Sequence, residues 1–267
     1  MRLEESEVGR RRALWALGAL TLASLVVGDA VRSSSRVPAA APARARTVVH
    51  PPVAPPPAAW TPVRLRARHQ PVHSLHDLAP AAPGNAIALT IDDGPHPEWT
   101  PKMLDLLAEH EIRATFSLIG MQVQRFPRLA ERIVQAGHQL CNHTMHHPIP
   151  FNRLPAKRIT AEIVEAQGRI SDATGVAARF FRSPGGSWSS RVVHTADDHG
   201  MIPIDWDIDP RDWSRPGTRR IAQSMLACRP GNILLCHDGG GDRSETLRAL
   251  RTVIPRLKHR GLAFVSL

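Results

Sequence analysis

From residue 84 onward, short apolar runs alternate with stretches in which apolar residues recur every three or four positions. The runs fall at 86–91, 114–119, 138–142, 179–183, 202–206, 232–236 and 262–267, and they are rich in strand formers. Between them, 101–110 places Met103, Leu106 and Leu107 on one helical face. The same spacing recurs at 128–135 (Leu129, Ile133, Val134), 156–171 (Ile159, Ile163, Ile170) and 244–260 (Leu247, Leu250, Ile254, Leu257). Strands separated by crossover helices predict an α/β fold with a parallel sheet, open or closed into a barrel.

Upstream of 84 the pattern is different. Residues 13–27 are apolar or small throughout, follow Arg10-Arg11-Arg12 and lead into Gly28-Asp29-Ala30. A basic start, a short apolar run and small residues read as an export segment over 1–31, either a cleaved signal peptide or a retained anchor. The run is shorter than the roughly 20 residues of a membrane span. The adjacent arginines also permit a twin-arginine signal. Residues 32–83 are rich in Pro, Ala and Arg, with Pro51-Pro52 and Pro55-Pro56-Pro57, and predict a semi-rigid linker. The domain is expected to occupy 84–267. Residues 69–78 are the first stretch expected to pack on it, and removal of 1–83 is expected to leave it folded.

Charge sharpens this division. The chain carries a formal net charge of +10. Residues 1–80 hold 11 Arg against 5 acidic residues, and 81–267 hold 23 Lys or Arg against 19. The excess therefore sits in the N-terminal segment, which suits an anionic membrane surface or wall polymer. No aromatic interleaving or nucleic-acid module accompanies it, so nucleic acid is not expected as a partner. Cys141, Cys228 and Cys236 lack Cys-x-x-Cys spacing, which argues against a disulfide framework and a cysteine zinc site.

The candidate chemistry falls at strand ends. Residues 86–95 alternate small and large apolar side chains and then present Asp92-Asp93-Gly94-Pro95. Paired carboxylates after a buried strand are costly unless they are used or compensated. An ordinary Asp-Gly turn reads equally well from that stretch alone. However, His143, His146 and His147 follow the third run, and Arg182-Ser-Pro-Gly-Gly186 follows the fourth. Asp207, Asp209 and Asp212-Trp213 follow the fifth, and His237-Asp238 the sixth. Ligands bind at the C-terminal ends of parallel strands in both barrels and open sheets. His143 and His147, four apart, can share one metal with Asp93, leaving positions open for water and substrate; His146 competes at three-residue spacing. A turn role fits Asp238 better than a catalytic one, and Asp207 and Asp209 carry no assigned role.

Taken together, Thr90-Ile-Asp92-Asp93-Gly94, His143-Thr-Met-His-His147, Arg182-Ser-Pro-Gly-Gly186, Asp209-Pro-Arg-Asp212-Trp213 and Leu235-Cys-His237 resemble the five motifs of the polysaccharide deacetylases, carbohydrate esterase family 4. The resemblance covers about 84–267. It implies a distorted (β/α)7-type barrel and hydrolysis of acetyl groups from amino sugars, with O-acetyl groups the target in some members. It also implies one divalent metal held by Asp93, His143 and His147, with zinc the usual ion and cobalt or nickel used in some members. By the same resemblance Asp92 is the general base, oriented by Arg182, and His237 the general acid, oriented by Asp212. Trp213 and Leu235 would shape the acetyl slot. Gly185 stands where the family usually has an aromatic residue whose backbone N–H steadies the oxyanion; glycine keeps the N–H and loses the ring.

The expected protein is thus an exported, metal-dependent deacetylase at the cell envelope, monomeric, touching membrane only through its N-terminal segment. Its expected partner is a glycan polymer, peptidoglycan first and chitin-type oligomers second. The rivals are an O-acetyl esterase on a xylan-type glycan and a catalytically silent glycan-binding protein. Retention of Asp92, Asp93, both histidines and His237 argues against the silent reading.

Overall fold

The computed structural model of the chain describes residues 70–267. The expected export segment at 1–31 and residues 32–69 of the expected linker lie outside the described residues. Among the described residues, no helix is long and apolar enough to cross a membrane.

One parallel sheet contains β1 (Ala86–Gly94), β2 (Thr115–Leu118), β3 (Gln139–Asn142), β4 (Phe180–Phe181), β5 (Ile202–Pro203), β6 (Ile233–His237) and β7 (Ala263–Val265). The spatial order is β5-β4-β3-β2-β1-β6, with β7 also paired to β1. All seven expected strands are present, most of them shorter than their apolar runs. β1 is longer, because Asp92 still pairs with His237 of β6 and Gly94 with Leu118 of β2 across a local register shift. That register sets Asp92 and His237 side by side at one end of the sheet.

The alternation of small and large residues in β1 has a direct structural use. Ile87, Leu89 and Ile91 join the main core, with Met103, Leu106, Leu250 and Ile254. Ala86 and Ala88 belong to a separate cluster with Leu75 and Ile233. Successive strand residues face opposite sides, so the large ones meet the helices and the small ones face inward, where room is limited.

Among the described residues eight α-helices flank the sheet: α1 (Leu75–Leu78), α2 (Trp99–Glu109), α3 (Gly120–Arg125), α4 (Pro127–Gln135), α5 (Ala156–Thr174), α6 (Ser190–Asp198), α7 (Thr218–Leu226) and α8 (Ser244–His259). Helices α2, α4, α5 and α8 lie where the apolar spacing placed them. α5 buries Ile159, Ile163, Ala166 and Ile170 on one face and stops at Gly175, whose φ of 70° suits glycine. Truncating one of those buried isoleucines to alanine should cost about 2–5 kcal/mol.

Between β5 and β6 there is no strand ladder. Ile208 bridges Leu234, and an upstream strap spans the remaining gap, with Val72 beside Ile204 and Ser74 beside Asn232. The barrel is therefore closed irregularly, as a distorted (β/α)7-type architecture requires. The strap also moves the expected start at 84 upstream. Val72, Leu75 and Leu78 are buried, so cutting at 84 would remove part of the core. Val72, Leu75 and Leu78 lie within the stretch 69–78, the first one expected to pack on the domain.

Candidate active site

The carboxyl ends of β1, β3 and β6 open into a cleft of about 470 Å³, lined among others by Asp92, Asp93, His143, His147, Gly185, Trp213, Leu235 and His237. Asp93 leaves the strand at the register shift with a left-handed φ of 74°. That turn separates the two neighbouring aspartates, so each side chain meets different partners.

Asp92 is enclosed and satisfied. Its Oδ1 accepts from Arg182 Nη1 at 2.8 Å. Arg182 is itself fully buried and also donates to Thr90 Oγ1 at 2.8 Å and to the Asp205 carbonyl at 2.9 Å. Burial pushes the Asp92 carboxyl up, but Arg182, His143 and His237 outweigh it and hold the group below the usual carboxylate range. It is thus held ionised beside the cleft.

Asp93 is the opposite case. Its Oδ1 is buried and has no hydrogen-bond partner among the described residues. His147 Nε2 lies 3.3 Å from that oxygen and His143 Nε2 lies 3.5 Å from it. The three ligand atoms fall within 4.8 Å of one another. Burial lowers the His143 pKa, so that ring is neutral and its contact with Asp93 is not an ion pair. His143 Nδ1 lies 2.8 Å from the Arg182 carbonyl. Nδ1–H donates there, which fixes the tautomer and leaves the Nε2 lone pair facing Asp93. A lone buried carboxylate oxygen facing two imidazole nitrogens fits a divalent cation.

The structure also decides between the neighbouring histidines. His146 turns away, with Nδ1 2.9 Å from Glu162 Oε1 and its backbone N–H donating to Glu162 Oε2 at 2.8 Å. His147 has a left-handed φ of 55°. The segment is a loop after β3 rather than a helix, so a loop, not the expected helical turn, brings 143 and 147 together beside Asp93.

Across the cleft, His237 Nδ1 lies 2.7 Å from Asp212 Oδ1. Asp212 Oδ2 accepts from the His237 backbone at 3.0 Å and from Thr246 Oγ1 at 2.7 Å. Burial lowers the His237 pKa, but the Asp212 hydrogen bond and charge outweigh it and raise it to about 9. His237 is therefore a charged donor at neutral pH, with Nε2 left for the cleft.

The remaining expected residues also line the site. Leu235 is buried, whereas Trp213 is about half exposed, with the Arg211 guanidinium 5.3 Å from its ring centre. Gly185 has a left-handed φ of 58°, and a Cβ there would meet only Ile149, at 3.5 Å. Backbone conformation, rather than space, favours glycine at that position.

Several lining groups carried no sequence signal. Ile149, Trp206 and Arg243 line the cleft from loops without periodic spacing. Asp205 is buried under Trp188, whose Nε1 donates to its Oδ2 at 2.7 Å. Asp238 begins the bend at 238–241, as expected, but is fully buried; burial raises its pKa to about 7, and it accepts from Thr100 Oγ1 at 2.5 Å. Asp207 accepts from the Ile233 backbone N–H at 2.9 Å and is structural. The three cysteines are buried and free, and burial pushes the Cys141 thiol up to about 12 and Cys228 to about 11, so neither supplies a thiolate.

An open Asp-His-His cluster between a charged carboxylate and a charged imidazole, at the strand ends of an irregular α/β barrel, defines a metal-assisted hydrolase. The comparisons narrow this class. The family model described as polysaccharide deacetylase matches residues 79–204. A chitooligosaccharide deacetylase from Sinorhizobium fredii is 40% identical over 194 residues, which is 68% of this chain and 90% of that one. A peptidoglycan-N-acetylglucosamine deacetylase from Bacillus cereus is 39% identical over 183 residues, covering 67% and 85%. Among solved structures, a CE4 family pseudoenzyme from Bacillus anthracis superposes with a TM-score of 0.65 at 33% identity, covering 72% of this chain and 69% of that one. The chain belongs to the polysaccharide deacetylase family, metal-dependent hydrolases that deacetylate N-acetylated sugar polymers.

Proposed function

We propose that this protein is an exported, zinc-dependent N-deacetylase of an envelope glycan, with peptidoglycan as the leading substrate and chitin-type oligosaccharides second. One observation carries the reading. The Asp93 Oδ1, unpartnered among the described residues, faces the His143 and His147 rings, while the charged Asp92 and the charged His237 stand on the same cleft. The basic N-terminal segment and its apolar run support export toward an anionic polymer.

The chain's own groups divide the work. A divalent metal on Asp93, His143 and His147 would polarise the acetyl carbonyl and make bound water acidic. Asp92 takes the proton from the attacking water, and Arg182 holds it in line. The Gly185 backbone N–H, from a residue lining the same cleft, would donate to the oxyanion. His237, kept protonated by Asp212, gives its proton to the leaving amine. Leu235 and Trp213 bound the slot for the acetyl methyl. Completeness of this set favours catalysis over the silent role of a pseudoenzyme.

The test is acetate release by the purified protein from peptidoglycan, chitin oligomers and acetylated xylan, with and without chelator and added zinc. Metal-dependent acetate from an amino-sugar polymer is the expected result. Acetate from xylan alone would move the enzyme to the esterase reading.

A further inference from the structure

Charge is divided unevenly over the domain. Residues 218–260, which carry α7 and α8, hold nine Lys or Arg against Asp238, Asp242 and Glu245. The rest of the described residues hold 14 Lys or Arg against 17 acids. Arg243 and Asp238 are buried and add nothing to the surface, but the other eight cations are all exposed. On α8 they stand at 248, 251, 256 and 258, opposite the buried Leu247, Leu250, Val253, Ile254 and Leu257.

Part of this charge is held in place without being neutralised. Arg260 donates to the Leu226 carbonyl at 2.6 Å and to the Cys228 carbonyl at 3.0 Å, closing the end of α7. Lys258 donates to the His110 carbonyl at 2.8 Å, and Arg248 to Thr218 Oγ1 at 3.3 Å. The neighbouring acids stand at the edges. Glu109 of α2 lies 3.3 Å from Arg251, with the exposed Glu111 just beyond it. Asp242 pairs with Arg215 at 2.9 Å, and Glu245 accepts from the Gly217 backbone N–H at 2.9 Å. Arg219, Arg220, Arg229 and Arg256 have no ion pair among the described residues. Like charges gathered on one face repel each other and attract a surface of opposite sign.

The chemistry of the face narrows its partner. No Phe or Trp occurs between 214 and 263, and none of the exposed large hydrophobic residues lies on α7 or α8. Unpaired bases are held by aromatic stacking, which this face does not offer. A layer of anionic headgroups needs only cations spread over a broad surface. The chain leading to the domain favours the same partner. Residues 32–69 hold seven Arg and no acid, downstream of the apolar run at 13–27. The strap that follows is tied beside the basic face, where the Leu75 backbone N–H donates to the Gly231 carbonyl at 2.8 Å, two residues from Arg229.

We infer that the α7–α8 face docks on an anionic lipid bilayer through headgroup phosphates. The domain then touches the membrane itself, in addition to the contact expected of the N-terminal segment. Both helices flank the barrel, so the cleft at the strand ends stays uncovered. This goes beyond the deacetylase reading and does not depend on it.

The experiment uses the full chain on vesicles of phosphatidylcholine, with or without phosphatidylglycerol, each carrying a lipid with a nitroxide headgroup. A fluorophore is placed through Gln223→Cys on the exposed side of α7 or through Glu165→Cys on α5; the native cysteines are buried. On anionic vesicles the probe at 223 should be quenched about threefold more than the probe at 165, and about 1 M salt should remove the difference. Neutral vesicles should show none. Arg219→Gln, Arg220→Gln, Arg229→Gln and Arg256→Gln together should abolish it, since each cation near such a surface contributes about fivefold in binding. Those side chains have no ion pair to lose, so Tm should stay within about 2 °C. If the fourfold variant does not fold, Arg219→Gln with Arg220→Gln should still reduce the difference. Equal quenching of the two probes on anionic vesicles overturns the inference, as does a difference that survives these substitutions. Anisotropy at 223 that rises with duplex DNA, without quenching by vesicles, gives the face to a linear polyanion and overturns it as well. Acetate release enters neither readout, so failure of the deacetylase reading leaves the docking result intact.

Discussion

Asp92 and Asp93 are adjacent in the chain and face one cleft, yet one is saturated and the other is open. Asp92 is paired with a buried arginine, while the buried oxygen of Asp93 has the His143 and His147 imidazoles before it. A single left-handed residue at the register shift produces the difference. The pair shows that a carboxylate's role follows from what surrounds it. A counter-charge supplied by the chain keeps one ready for a proton, and a missing counter-charge prepares the other for a cation.

The sharpest way to break that contrast is Asp93→Ala. Metal content by mass spectrometry should fall to background and turnover by about a thousandfold or more. Wild-type metal stoichiometry in this variant would place the centre elsewhere. Asp92→Asn comes next: it should keep its metal and lose about 10²–10⁴ in kcat, the usual share of a general base. Near-normal turnover would put the base on another group.

Asp212→Asn tests the far side of the cleft through pH. His237 is raised to about 9 by its partner, so the basic limb of kcat/KM in the wild-type protein should fall near pH 9. In the variant the limb should move toward the ordinary histidine value, cutting activity at pH 8 by about tenfold. The same pairing stabilises the fold fully below the ordinary value of 6.5 and loses that contribution as pH rises through about 9. An unmoved basic limb would remove His237 from the acid role. The smallest effect belongs to His146→Ala. Metal content and turnover should stay within about twofold, because that ring is tied to Glu162. A large loss of metal would reopen the choice of ligand.

Where the sequence was legible, periodicity or a dense motif made it so. α5 and α8 announced themselves through apolar residues three and four apart, and the site through polar clusters at strand ends. α3 is only six residues long and begins with Gly120, so it offers too little pattern to read. α6 hides its start in Ser189, whose side chain accepts from the Val192 backbone N–H. α7 follows a glycine with φ of 98° and buries only Ile221 and Met225. Arg243 and Asp205 were illegible for another reason. Asp205 is fixed by Trp188 and Val72, and Arg243 is buried over the Gly239 turn, and no apolar spacing records either.

The strap at 72–74 has a consequence for the order in which the domain can be completed. The Val72 backbone N–H donates to Pro203 at 2.9 Å, Asp205 donates back to Val72 at 2.7 Å, and Leu75 donates to Gly231 at 2.8 Å. The earliest-synthesised part of the domain must therefore wait for residues more than a hundred positions downstream before it has anything to pair with. Contacts so distant along the chain form late and slowly. A ribosome carrying this chain should thus hold an unsealed barrel until nearly the whole domain has emerged, and the last stave to be fitted is the first one made.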